Sequence, residues 1–156
     1  NALTDTHEIF TDITTTWCEE ELMPFIKLGG ECGMIMTSHL YHREISSQVV
    51  SQSPEWICKL RQSGFDGVII TDDIQMAAAI DVNKDRVTQL ANAIIRAWRA
   101  GNDLVIVGRQ LQRIDYDELI AIVDQLVDQV KNDQAILLKL QAALSRVSSL
   151  KHCHDN

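Results

Sequence analysis

Two adjacent carboxylates, Asp72 and Asp73, follow a run that is small or β-branched with no polar alternation, Gly67-Val-Ile-Ile70, with only Thr71 between. An apolar run of that kind reads as a parallel strand buried on both faces. The abrupt polar switch puts a carboxylate at the carboxyl end of the strand, where parallel α/β folds collect ligands and chemistry. Asp72 is the candidate reactive group, and Asp73 is expected to begin a loop or cap the next helix. Such a pair could attack as a nucleophile or chelate Mg²⁺ for phosphoryl transfer, as in receiver-like domains, although Thr37 and Gly108 occupy the comparable ends of the neighbouring strands. A second candidate is Asp5-Thr-His7, in which the acid can hold the imidazole by a hydrogen bond and raise its proton affinity. The tail Lys151-His-Cys-His-Asp155 carries metal-ligating types but reads as a chain end, so no metal or cofactor is expected.

The elements that must position these groups can be read in order. Residues 1–15, rich in Thr and Asp, form a long loop. Thr16 and Glu19 have capping-box spacing, and Leu22, Phe25 and Ile26 recur at helical intervals, predicting a helix over 17–28 with those residues inward. Cys32 to Thr37 is a second buried strand, tipped by Ser38 and His39. Residues 40–52 read as polar loop. Ser53-Pro54-Glu55 starts a helix that buries Trp56, Ile57 and Leu60 and runs to Gly64. Ile74 to Ile80 forms a short helical turn. Val87, Leu90, Ala91, Ile94, Ile95 and Trp98 mark a helix closed by Gly101, and Asp103 to Val107 is a third strand. From Tyr116 to about Leu150 the pattern is helical. One stripe runs Leu119, Ile120, Val123, Leu126, Val127 and Val130, another Ile136, Leu137, Leu140, Leu144 and Val147, with a division at Asn132-Asp133.

The alternation of strand and helix demands parallel strands with helical crossovers. Three short parallel strands leave edges and a face uncovered, so the fold expected is α/β, a partial (β/α)8 TIM barrel ending in a long helical segment. The 156 residues read as a single unit, with a loop over 1–15, βα repeats over 16–110 and C-terminal helices over 111–156.

Composition narrows the function. A formal net charge of -8 and the lack of a basic run with interleaved aromatics speak against nucleic acid. No apolar run reaches the roughly 18 residues of a spanning helix, and no signal peptide opens the chain. Cys18, Cys32, Cys58 and Cys153 are too few and too far apart for a disulfide framework or a zinc site, and read as mostly buried thiols of a reducing compartment; the localisation is left open, with the cytoplasm favoured.

Together the motifs resemble glycoside hydrolase family 3, specifically its bacterial β-N-acetylglucosaminidases. Gly64-Phe-Asp-Gly-Val-Ile-Ile-Thr-Asp-Asp-Ile-Gln-Met76 is almost unchanged from a family strand end. Met36-Thr-Ser-His39 is similar to a Met-x-Ala-His strand end, Ala100-Gly-Asn-Asp-Leu104 to a strand start, and Asp5-Thr-His7 to an Asp-Ser-His loop. The resemblance implies a retaining β-N-acetylhexosaminidase without a cofactor, acting on a β-GlcNAc-terminated glycan or a peptidoglycan fragment. Asp72 would be the nucleophile, His7 the acid/base, Asp5 its orienting partner, and His39 part of the lining of the sugar site. The Lys-His-Phe-Pro-Gly-His-Gly strand end that precedes these motifs in the family is absent. The chain is therefore expected to be the C-terminal half of a catalytic barrel whose N-terminal half is missing. A non-catalytic sugar-binding relative is the remaining alternative.

Overall fold

The computed structural model describes residues 10–29, 31–76, 85–108 and 112–152. Strands β1 (Met34–Thr37), β2 (Val68–Asp73) and β3 (Leu104–Ile106) form one sheet in the order β1-β2-β3. Both pairings are parallel, with Met36 beside Ile70 and Ile70 beside Leu104. The polar tips of all three strands therefore lie at one edge of the sheet. Between Ile70 and Asp73 the register with β3 shifts, so that three steps along β2 match two along β3 and Asp73 lies opposite Ile106. A bulge of this kind re-aims side chains at a strand end.

Helices α2 (Pro54–Gln62) and α3 (Arg86–Ala100) supply the crossovers, and each begins where its sequence dictates. The Ser53 hydroxyl accepts the Trp56 N–H and donates to the Glu55 carboxylate, while Pro54 occupies the first turn, where no N–H is needed. Asp85 caps α3 by accepting the Thr88 N–H. Gly101 closes α3 with φ +113°, a left-handed conformation that suits glycine, and its N–H returns to Ala97 and Trp98. Ile57, Phe65, Ile69 and Ala100 form a core between this layer and one face of the sheet, with Ile35 and Leu60 at its margin. Leu90, Ala91, Ala93, Ile94 and Ala97 of α3 form the other core, with Ile74 and Ile122. The alanines let α3 approach its neighbours closely.

The division at Asn132-Asp133 is present, between α4 (Tyr116–Val130) and α5 (Gln134–His152). Asp115 and Glu118 make a reciprocal capping box at the start of α4. Asp133 accepts the Ala135 and Ile136 N–H groups at the start of α5. Helix α5 crosses the starting edge of the sheet: Arg146 binds Asp103, just before β3, and Leu150 lies over Gly33, just before β1.

Several expectations fail for identifiable reasons. The helix expected over 17–28 is a 3₁₀ turn, Glu19–Leu22, followed by a short α1, Met23–Leu28. Pro24 supplies no N–H, so the regular helix can only begin around it. Cys18, without a side-chain capping bond, stands at the N-cap instead of Thr16. Phe25 and Ile26 are exposed. Residues 40–52 are the expected loop, but much of it is packed into the protein. Val49, Ser51 and Gln52 are buried, Tyr41 bridges to Asp12 and Val49, and Val50–Gln52 forms a 3₁₀ turn. On α4 it is Ile122 that is buried against α3, while Leu119, Ile120, Val123 and Val127 are exposed. On α5, Ile136 and Ala143 are buried and Leu144 is exposed. Cys18, Cys32 and Cys58 are exposed free thiols rather than buried ones. The turn expected over 74–80 is described only to Met76, and Cys153 lies outside the described residues.

Candidate active site

Asp72 is half-buried near the end of β2. By strand alternation it shares the face of Ile70 and Met36, opposite the helix-covered face of Ile35 and Ile69. Its Oδ1 accepts the N–H of Asp73 at 2.7 Å, which fixes the carboxylate against its own backbone.

Asp73 has a different task. Its Oδ1 accepts from Gly108 N (3.0 Å) and Gln75 N (3.1 Å), and its carbonyl accepts Met76 N in the turn that follows. The carboxylate thus clasps the tips of β2 and β3 across the bulge. A Cβ on Gly108 would fall on that carboxylate, so glycine is what lets β3 come so close. Gln75 reinforces the clasp by donating its side-chain N–H to the Gly108 carbonyl, and Arg86 binds Gln75 Oε1. The expectation of a loop-starting or capping residue captures the contact with Gln75 N but not the bond across to β3.

His39 sits just beyond β1 and is 2% exposed. Nε2 lies 2.9 Å from the Asp73 carbonyl oxygen, and Nδ1 lies 2.6 Å from Ser51 Oγ. A carbonyl can only accept, so Nε2 carries the hydrogen; in the neutral ring Nδ1 then accepts from the Ser51 hydroxyl. Burial lowers the proton affinity of this imidazole below the ordinary histidine range, and the Asp73 carbonyl and Asp72 carboxylate offset that only in part. Both polar atoms of the ring are thus engaged within the protein.

Behind His39 the network continues. The Ser51 carbonyl accepts from Asn102 Nδ2 at 2.7 Å, and Asn102 Oδ1 accepts from the Thr37 hydroxyl at 2.9 Å. Ser51, Thr37 and Asn102 are all buried. On the β3 side the Thr71 hydroxyl oxygen accepts Ile106 N at 3.2 Å. Sequence reading found Asp72, Asp73 and His39 but missed Ser51, Gln75 and Asn102. These are single polar residues; Asn102 and Gln75 lay inside family-like motifs, but nothing in the sequence singled out their side chains.

Asp5 and His7 lie outside the described residues, as does most of the expected 1–15 loop. No helix among the described residues is long and apolar enough to cross a membrane. No group of three or more His, Cys, Asp or Glu side chains among them could hold a metal ion. A largely apolar cavity of about 360 Å³ reaches Thr37 and Ser38 but is walled by Trp17, Phe25, Trp56 and Leu60, with Asp72 not in its lining.

Comparison with known proteins places this geometry. The β-hexosaminidase of Pseudomonas aeruginosa strain PAO1 is 32% identical over 89 residues, covering 56% of this chain and 25% of that protein. The β-hexosaminidase of Chromobacterium violaceum is 32% identical over 100 residues, 62% of this chain and 27% of that protein. The chain thus spans about a quarter of the length of the curated relatives it matches. Among solved structures, the β-N-acetylhexosaminidase of Beutenbergia cavernae superposes with a TM-score of 0.75 at 24% identity, over 97% of this chain and 44% of that one. A glycoside hydrolase family 3 β-N-acetylglucosaminidase from Paenibacillus sp. does so with 0.71 at 22% identity, over 97% and 28%. The three parallel strands with their crossover helices are accordingly an arc of a (β/α)8 barrel. The Glycosyl hydrolase family 3 N terminal domain matches residues 5–150, nearly the whole sequence, and the chain belongs to that family.

Proposed function

We propose that the polypeptide carrying this sequence is a retaining glycoside hydrolase that removes terminal β-linked N-acetylglucosamine, with Asp72 as nucleophile. The observation that carries this is the division of labour between neighbours. Asp73 is occupied in clasping β3, whereas Asp72, on the opposite alternation, has a carboxylate steadied, among the described residues, by one backbone N–H at the end of the sheet where such folds hold ligands. The β-hexosaminidase names of its relatives favour an N-acetylhexosamine as the sugar.

In this reading Asp72 attacks the anomeric carbon as the bond to the leaving oxygen breaks, and the protonated His7 imidazole gives that oxygen its proton. Water then attacks the glycosyl-enzyme ester while His7 takes back a proton, freeing Asp72 with net retention. Asp5 is assigned the role of orienting His7 for the first step. The sheet edges at β1 and β3 have no strand partner among the described residues, which supports remaining barrel strands contributed by further polypeptide.

The test is hydrolysis of aryl β-N-acetylglucosaminides. Asp72→Ala removes nearly all turnover, and added azide restores product of inverted configuration by filling the vacated place. Near-normal turnover by Asp72→Ala refutes the nucleophile assignment. His7→Ala slows substrates with poor leaving groups far more than activated aryl glycosides, and equal loss on both excludes His7 as the proton donor.

A further inference from the structure

The reading of Asp72 as nucleophile leaves a question of placement. Its carboxylate rests on the N–H of residue 73, so whatever fixes residue 73 also fixes the attacking oxygen. Residue 73 is held by its side chain, through Gly108 and Gln75, and by its carbonyl, through Met76 N and His39 Nε2. His39 is the contact that reaches this carbonyl from the β1 side of the sheet.

We infer that His39 is a positioning residue for Asp72: fixed between Ser51 and the Asp73 carbonyl, its ring sets the backbone on which the nucleophilic carboxylate is carried. The inference rests on the nucleophile reading above and adds a residue that acts without touching the sugar. The ring is 2% exposed and each nitrogen already has a protein partner, so neither is presented to a substrate hydroxyl. It is itself held at both ends. Ser51, its Nδ1 partner, is anchored by its own N–H to the Ser38 carbonyl and by its carbonyl to Asn102, whose Oδ1 returns to Thr37. Thr37, the last residue of β1, and His39 flank Ser38. The path Thr37, Asn102, Ser51, His39 is therefore closed through the backbone, with no member free to drift alone. Histidine suits the position because it is rigid, planar and supplies one donor and one acceptor at opposite sides of a ring. Its depressed proton affinity keeps that polarity fixed near neutral pH.

Reacting atoms tolerate little misplacement, and a shift of about 1 Å can cost on the order of 10²-fold in rate. In the full polypeptide, His39→Phe keeps the ring shape but loses the donor to Asp73. It should lower kcat on an aryl β-N-acetylglucosaminide by roughly 10- to 100-fold with KM changed by less than about threefold. His39→Gln returns an N–H at the place of Nε2 and should recover most of the lost kcat. Ser51→Ala, which frees one side of the ring without emptying its place, should lower kcat by a smaller factor, again with KM held; it also decides the case if His39→Phe does not fold. Raised KM with unchanged kcat would mean that the ring binds the sugar, and would overturn the inference. So would unchanged kinetics in His39→Phe, or a kcat loss that His39→Gln does not relieve. Asp72→Ala assayed alongside separates the two ideas. If it is inactive while His39→Phe is normal, only the positioning role falls; if it retains turnover, the nucleophile reading falls and takes the positioning role with it.

Discussion

Asp103 is a polar residue whose removal should cost this fold heavily. Its carboxylate is 1% exposed and accepts four N–H groups: Arg61 Nη2 at 2.6 Å, Arg146 Nε and Nη2 at 2.9 and 2.8 Å, and Ile69 N at 2.8 Å. Arg61 also donates to the carbonyls of Phe65 and Gly67. One side chain therefore ties α2, the start of β2, the start of β3 and α5. Burial pulls the proton affinity of the Arg61 guanidinium down, and the Asp103 carboxylate is the main influence opposing it. Asp103→Ala leaves two guanidinium groups and one buried N–H without their acceptor. Removing one partner from a buried ion pair costs about 3–5 kcal/mol. The guanidinium side chains are 23% and 31% exposed, so water reclaims part of that, and a loss of about 3 kcal/mol is expected. That is a large part of the roughly 5–15 kcal/mol by which domains are stable. In urea the midpoint should fall by about 1–3 M at unchanged slope, and Tm by roughly 6–12 °C. Arg146→Met, which leaves Asp103 with Arg61 and Ile69 N, should cost less than half as much. A loss below about 1 kcal/mol for Asp103→Ala, or equal losses for the two variants, would show that the cluster is solvated and not a buried clamp.

Gly108→Ala places a methyl group on the Asp73 carboxylate and should open the clasp between β2 and β3. Overpacking of this kind costs about 1–3 kcal/mol, and the bond from Gly108 N to Asp73 is lost with it. Urea unfolding measures this, and an unchanged midpoint would mean that the strand tips separate freely. Stability should also fall as pH drops below about 6.5, the ordinary histidine value, because the unfolded chain takes up a proton that the buried His39 ring resists. His39→Gln should flatten that slope between pH 7 and 5.5, and identical slopes would exclude the ring as its source. The exposed Asp12 acts at lower pH. The Thr14 hydroxyl and N–H, then Arg43, bring its pKa to about 2, so its contribution is complete above the ordinary 3.8 and fades as pH falls from there through 2.

What could be read from the sequence was what local chemistry decides. Ser53-Pro54 starts a helix because its hydroxyl and imide ring satisfy the first turn by themselves, and Gly101 ends one because its left-handed φ suits glycine. The switch from Ile70 to Thr71-Asp72-Asp73 marks the last three residues of β2, which ends at Asp73. The failures come where a partner distant in the sequence decides. Periodicity shows that Leu119, Val123 and Leu144 belong to apolar faces, but it cannot show that Ile122 and Ala143 are the residues actually covered. The stretch 40–52 looks polar because Ser51 and Gln52 are polar. They are nevertheless buried, since the acceptors and donors they need are 12 to 51 residues away, on His39, Arg96 and Asn102. At the candidate site the strand-end carboxylate was therefore legible and the scaffold that aims it was not.

That scaffold explains why two identical neighbours can be given unlike tasks. A strand sends successive side chains to opposite faces, so Asp72 and Asp73 meet different surroundings although they share a peptide. The bulge beside them brings residue 73 opposite Ile106 and lets its carboxylate close on Gly108, while the Asp73 N–H is given to residue 72. β2 is pinned at its base, where Asp103 accepts Ile69 N, and at its tip, where His39 and Gly108 grip residue 73. Between those anchors Thr71 is fully buried, which leaves the strand little room to relax. A carboxylate held this way loses little further freedom when it is drawn to a substrate, which is the condition under which orientation lowers a barrier.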